Sequence, residues 1–334
     1  MELIFILIVG FVLRFLFFLS EASDEYSHLW MIKRIKRINN LWKDNVENSI
    51  IKGYRGYPPL PHYIVSRFPE KYWVVIGKLL NIIYDLITII IVYYFSVFLF
   101  RDLWQIKLQG VINAPTAVAF LYATSPILSP VTARLKAIGG RTMGNLLCLI
   151  YIILFAYGFL SGNYFVYFFC FPIGWAIIIS SQFGLQYIVF CCFFLSIFYL
   201  NPVPMMLISV IIISGIFVPK LGIKKLLQRK INHFIWYIKN YTKGTTASNR
   251  NNIKDMLLFP VYLVKNPKYF VSLCFKGITL IIGAYSIPPV VILVFWIVIS
   301  PESMFLFINH DVTLFLFFVS ISTVFIFILT SLKP

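Results

Sequence analysis

The sequence predicts an all-α polytopic membrane protein, a bundle of about nine transmembrane helices with a large first polar loop that contains amphipathic interfacial helices. Three observations predict it. Of 334 residues, 60% are hydrophobic and only 12% are charged, where a soluble domain carries roughly a quarter charged residues. The hydrophobic residues gather in repeated runs of about 17 or more, the length that lets a helix satisfy its own backbone groups across lipid. The first of these runs, MELIFILIVGFVLRFLFFLS, ends abruptly at a polar stretch of about fifty residues, after which the chain is again mostly apolar.

The expected spans fall near 3–20, 73–100, 110–127, 143–160, 164–181, 184–200, 203–219, 271–299 and 312–331. The first is too long for a signal-peptide core, and the SEASDEY that follows is not a small-residue cleavage site, so it reads as a retained span. The eighth contains Pro288 and Pro289, which remove a helix hydrogen bond and predict a kink or break. All 334 residues read as one integral-membrane domain with two polar insertions, 21–72 and 220–270. In the first, MIKRIKRINNLW sets Met31, Ile35, Ile38 and Trp42 on one helical face and Lys33, Lys36 and Arg37 on the other. That is the pattern of a helix lying in the membrane interface. In the second, LGIKKLLQRKINHFIWYIK has the same basic amphipathic character, followed by the loop-like YTKGTTASNRNN.

The net charge of +17 points to anionic lipid head groups, since no nucleic-acid-binding motif accompanies it. Lys and Arg number 9 in 21–72, 3 in 128–142 and 11 in 220–270. If every span crosses, these loops share one side, which the positive-inside rule would make cytoplasmic. The sequon Asn240-Tyr241-Thr242 lies on that same side and suits a lumenal face. Cys148, Cys170, Cys191, Cys192 and Cys274 all lie in or beside apolar spans without metal-ligand spacing; they read as small buried hydrophobes.

Few residues can carry chemistry. Asp24 and Glu25 stand just beyond the first span, with Tyr26 and His28 after them. Sugar transfer from a polyprenyl phosphate uses a carboxylate to orient or deprotonate the acceptor, often with a divalent ion at the departing phosphate; a solvated loop end is the plainer reading. Tyr57-Pro58-Pro59-Leu60-Pro61 reads as a rigid extended segment leading to the next span, able to line a groove or simply to start a helix. Lys78 and Asp85 are intramembrane charges on one helical face. They stand two turns apart and so are expected to find separate partners on other helices. Arg14, near the end of the first span, is expected to snorkel. Arg134, Lys136 and Arg141 lie in the short loop SPVTARLKAIGGRT, where they could grip a lipid phosphate or anchor the interface. His310 and Asp311 read as a helix cap. No nucleotide-binding loop, zinc motif or serine-hydrolase elbow occurs.

A single span, an acid-bearing loop and then a hydrophobic bundle resembles the layout of lipid-linked GT-C glycosyltransferases and their non-catalytic relatives. Within that superfamily, NIIYDLITIIIVYYF (81–95), GYPPLPHYIVSRF (56–68) and AFLYATSPILSPVTARLKAIGGRTMGN (119–145) resemble segments shared by two families of glycosylphosphatidylinositol (GPI) anchor assembly. These are PIG-M, a mannosyltransferase, and PIG-U, a subunit of the GPI transamidase. SHLWMIKRIKRINNLW (27–42), NNIKDMLLFPVYLV (251–264), YSIPPVVI (285–292) and HDVTLFLFF (310–318) are similar to PIG-U. Of PIG-M's acid-x-acid pair only Glu25 has a counterpart, with Ser23 at the first place.

The PIG-U resemblance implies a multi-pass protein of the endoplasmic reticulum membrane, with both polar insertions lumenal. It implies a non-catalytic subunit that binds the GPI lipid and glycan beside other subunits of a membrane complex. Arg134, Lys136 and Arg141 would grip phosphate; Tyr57, Pro58, Tyr63 and His28 would shape the groove; Lys78 and Asp85 would hold helices together. No metal or other cofactor and no nucleic acid is expected for that role. The enzyme alternative is a transferase using dolichyl-phosphate-mannose or another polyprenyl-phosphate sugar, with Asp24 or Glu25 as base and a divalent cation as its cofactor. A transporter would show paired charges in symmetric halves, and no such symmetry is present.

Overall fold

The computed structural model describes residues 2–18, 25–38, 58–103, 114–128, 138–228, 231–232, 261, 264–269 and 311–331. Those residues are mostly helical, with no strand among them. In chain order the helices are α1 (Glu2–Phe18), α2 (Glu25–Ile38), α3 (Leu60–Ser66), α4 (Trp73–Val97), α5 (Ala114–Leu128), α6 (Arg141–Ser161), α7 (Tyr167–Ser180), α8 (Gln182–Phe198), α9 (Val203–Phe217) and α10 (Asp311–Ser331). The eighth expected span, with its Pro288-Pro289 kink, lies outside the described residues.

Among the described residues, two continuous helical stretches are long and apolar enough to cross a membrane. They are Glu70–Arg101, with 32 residues and a mean hydropathy of 2.2, and Arg141–Ser161, with 21 residues and 2.1. The nine-span layout is therefore matched only in part. The apolar runs of the middle of the chain divide into shorter helices at Tyr164–Ser180, Gln182–Phe198 and Val203–Phe217. At 1.5 Å per residue, 17 residues reach only ~25 Å, against a hydrocarbon core of ~30 Å. Polar and turn residues divide them. Ser181 stands alone between α7 and α8, and its Oγ accepts the Gly184 N–H at 3.1 Å as a helix cap. Leu200, at φ 48°, and Pro202 turn the chain between α8 and α9.

The chain divides into two compact units. The first comprises 1–44, 57–150 and 176–184; the second comprises 45–56, 151–175 and 185–334. In the first, α1, α4 and α5 pack around Ile6, Ile89, Ala119 and Ala123. Small residues make that approach close: a Cβ on Gly10 would stand 2.7 Å from Ile89 Cδ1, the small-residue logic of helix contacts in apolar surroundings. A second cluster joins α2 and α3 to the start of α4 through Ile32, Val65, Trp73 and Ile138.

Two expectations are corrected there. The apolar face of α2 was expected against lipid, but Met31, Ile32 and Ile35 are buried by protein. Amphipathic periodicity cannot distinguish those two apolar environments. Of the two readings of the proline run, an extended segment or a helix start, the extended one fails: α3 begins at Leu60 and Pro59 has αR backbone (φ −86°, ψ −17°). Proline fits the first helical turn, where its missing N–H has no acceptor to lose.

The second unit is held by aromatics. Phe155 stacks on Tyr167 at 5.7 Å, and Phe198 on Phe318 at 4.8 Å, between ring centroids. Trp175 Nε1 donates to Ile211 O at 3.0 Å, and Gly174 gives Ile211 room to approach. Of the second polar insertion, the described start keeps Ile223 and Leu226 buried and Lys224 and Lys225 exposed.

Candidate functional site

The first unit gathers polar residues at the level where α2 and α3 meet the start of α4. Glu25 and His28 stand one helical turn apart on α2 and therefore share a face. Glu25 Oε2 lies 3.1 Å from Lys78 Nζ, an ion pair whose partners are 16% and 6% exposed. His28 Nδ1 lies 2.8 Å from His62 Nε2, with both rings buried. His62 Nδ1 faces the Pro58 carbonyl at 3.3 Å.

A carbonyl only accepts, so the network puts the His62 hydrogen on Nδ1 and leaves Nε2 to accept from His28 Nδ1–H. The ring centroids are 5.1 Å apart and the planes differ by 14°. That separation matches the N···N distance plus the two ring radii, so the imidazoles meet head-on along the shared hydrogen. This geometry suits a hydrogen bond; two nitrogens converging on one metal ion would diverge in direction. Among the described residues, no three His, Cys, Asp or Glu side chains cluster as ligands.

The 138–140 segment closes over this group. Gly139 approaches His28, and Gly140 packs so tightly on the Ser180 carbonyl and Pro61 that no Cβ fits. Below it, Thr142 Oγ1 donates to Asn81 Oδ1 at 2.6 Å in a buried position. Arg141 opens α6, is exposed, and places its guanidinium 5.1 Å from the centre of the Phe183 ring.

Deeper along α4, Asp85 binds α1 and α5. Arg14 Nε donates to Asp85 Oδ2 at 2.7 Å, and Tyr122 Oη donates to Asp85 Oδ1 at 3.0 Å. Arg14 Nη1 donates to the Ala123 and Gly10 carbonyls at 2.7 and 3.0 Å. The expectation that Arg14 snorkels is corrected: it is fully buried. Its stem is one turn short of the helix end, and an acidic partner within the bundle outcompetes even that nearby interface.

Of the residues singled out from sequence, Glu25, His28, Pro58 and Lys78 come together, and Asp85 lies further down the same face of α4. Tyr63 is half-buried on α3 and instead engages Arg67, whose guanidinium lies 4.2 Å from the Tyr63 ring centre. Asp24, Tyr57, Arg134 and Lys136 lie outside the described residues, as do Asn240 and His310. His62, Asn81, Tyr122 and Thr142 were missed. His62 had a legible signal, four residues after Pro58 and beside the proline run; the other three are single polar groups in apolar runs. No family model, curated protein or solved structure matches this chain.

Proposed function

We propose that the chain is a multi-pass membrane protein of the endoplasmic reticulum with a GT-C-like helical bundle. Its role is that of a PIG-U-like, non-catalytic subunit of the GPI transamidase that holds a phosphate-bearing lipid and its glycan. The observation that carries the membrane part is the inverted polarity of α4. Its buried face holds Lys78, Asn81, Asp85 and Thr88, while Val75, Leu79, Ile83 and Ile87 are exposed. Water would favour the opposite arrangement; lipid favours this one. α1 repeats the pattern, with Arg14 buried and Ile4, Ile8, Phe11 and Phe15 exposed.

The pairing of Glu25 with Lys78 favours a subunit over a transferase. A carboxylate whose charge is already balanced by a buried ammonium is a structural element first. The resemblance of 27–42 and 310–318 to PIG-U supplies the pathway. Affinity capture of the tagged chain in mild detergent tests it. Co-purification of the other transamidase subunits is the expected result, and their absence would overturn the assignment.

One observation favours the transferase reading. Glu25 and His28 share a face, and His28 is hydrogen-bonded to the buried His62 behind it, a set able to move a proton from an acceptor hydroxyl. Asp24→Asn combined with Glu25→Gln separates the two readings. Loss of mannosyl transfer from dolichyl-phosphate-mannose at normal expression supports the enzyme; full complementation excludes it.

A further inference from the structure

Five exposed basic side chains of α2, α3 and the turn after α3 form one surface. Lys33, Lys36 and Arg37 project from the exposed face of α2; Arg67 and Lys71 extend from the end of α3 and the turn after it. Lys33 is 72% exposed and reaches Glu70 at 3.5 Å, the one acid among the described residues of 29–77. Aromatic rings hold three of these cations in place. Lys36 Nζ lies 5.3 Å from the Trp73 ring centre, Lys71 Nζ lies 4.8 Å from that of Tyr72, and Arg67 covers Tyr63. Tyr26, Trp30, Phe68 and Tyr72 are exposed among them. Immediately below, the exposed stripe of α4 begins at Val75 and continues through Leu79, Ile83 and Ile87.

A collar of cations and amphipathic rings directly above an outward apolar stripe matches a bilayer profile. Rings favour the head-group level, ammonium and guanidinium groups favour lipid phosphate, and the aliphatic stripe favours acyl chains. We propose that this collar is a binding surface for an anionic lipid leaflet, with Tyr72 and Trp73 at the boundary between head groups and hydrocarbon. It uses none of the residues Arg134, Lys136 and Arg141 expected to grip phosphate, and it predicts that the side facing residues 25–38 and 58–72 is rich in anionic lipid. The inference rests on the membrane-spanning reading but not on the GPI pathway.

The test uses the full chain reconstituted in vesicles of phosphatidylcholine alone or with about a third phosphatidylglycerol. A membrane-impermeant amine reagent labels lysines, and mass spectrometry reads each site in the outward-facing population. At low salt, labelling of Lys33, Lys36 and Lys71 is expected to fall by about fivefold in the anionic vesicles, and about 1 M salt should restore it. Lys33→Gln, Lys36→Gln and Arg37→Gln together should restore labelling of Lys71 in anionic vesicles, with helix content by circular dichroism as the folding control. Equal labelling in both vesicle types, from protein that resists carbonate extraction, would overturn the proposal while leaving the spanning reading intact. Salt-reversible protection in carbonate-extractable protein would overturn the spanning reading and with it the placement of Tyr72 and Trp73 at the hydrocarbon boundary.

Discussion

Arg14 Nε and Asp85 Oδ2 meet at 2.7 Å with side-chain exposures of 0% and 1%. Seventy-one positions separate them in sequence, and the pair ties the first helix to the fourth. Breaking such a pair leaves an uncompensated charge in an apolar bundle, at a cost of about 3–5 kcal/mol. Asp85→Ala should therefore lower the unfolding midpoint in detergent more than the double substitution Arg14→Met with Asp85→Leu, which removes both charges. A double variant as unstable as the single one would show that packing, not charge, dominates there.

Tyr122 supports the same carboxylate from α5. Tyr122→Phe deletes one hydrogen bond to a charged acceptor and little volume. The expected loss is about 1.5–3 kcal/mol, smaller than that of Asp85→Ala. Thermal unfolding followed by gel filtration orders the two variants.

Ile83 lies on the exposed apolar stripe of α4. On a water-facing helix, Ile83→Lys would be nearly neutral. Facing hydrocarbon, a lysine near the middle of a span costs about 2.5–3.5 kcal/mol on insertion scales. The expected outcome is a sharp drop in membrane-inserted protein, measured as the carbonate-resistant fraction. Wild-type recovery would contradict the lipid-facing assignment of that stripe.

The glycines make a paired test. At Gly140 an added Cβ collides with the Ser180 carbonyl and stands 2.8 Å from Pro61 Cγ, and backbone cannot yield as a flexible side chain does. Gly140→Ala should cost several kcal/mol, on the scale of about 1–3 kcal/mol or more seen for overpacking. Gly162 has φ 68° and open space around it, so Gly162→Ala should cost only the left-handed strain of about 1–2 kcal/mol. Comparing their midpoints separates close packing from backbone conformation.

His62→Phe fills the ring's volume but deletes both of its hydrogen-bonding nitrogens. His28 Nδ1 then loses its partner in a buried position, at an expected cost of about 1–3 kcal/mol. The loosening should be local, appearing as faster amide exchange in α2 and α3 with α9 unchanged. Uniform destabilisation would argue against a local lock.

The helical class was legible from composition and run length alone, because helix is the conformation that satisfies every backbone group within a single segment. The apolar runs also announced α1, α4, α6 and α10 within a few residues. The runs 164–181, 184–200 and 203–219 likewise fell on α7, α8 and α9 within a few residues, but apolarity alone did not show that each of those helices is short for a crossing. The candidate site was half legible. Lys78 and Asp85 stood out because charge is costly among apolar neighbours, and Glu25 and His28 because they follow directly on the first apolar span.

What the sequence determined by itself is the local pattern: which residues lie on one helical face and which charges lie inside apolar runs, since both follow from a period of 3.6. Which partner each charge takes was decided only by the tertiary structure. Arg14 could turn toward the interface or toward an acid, and both choices share one local sequence. The approach of α1, α4 and α5 across small residues brings Asp85 within reach, and pairing in an apolar interior outweighs the stretch to water.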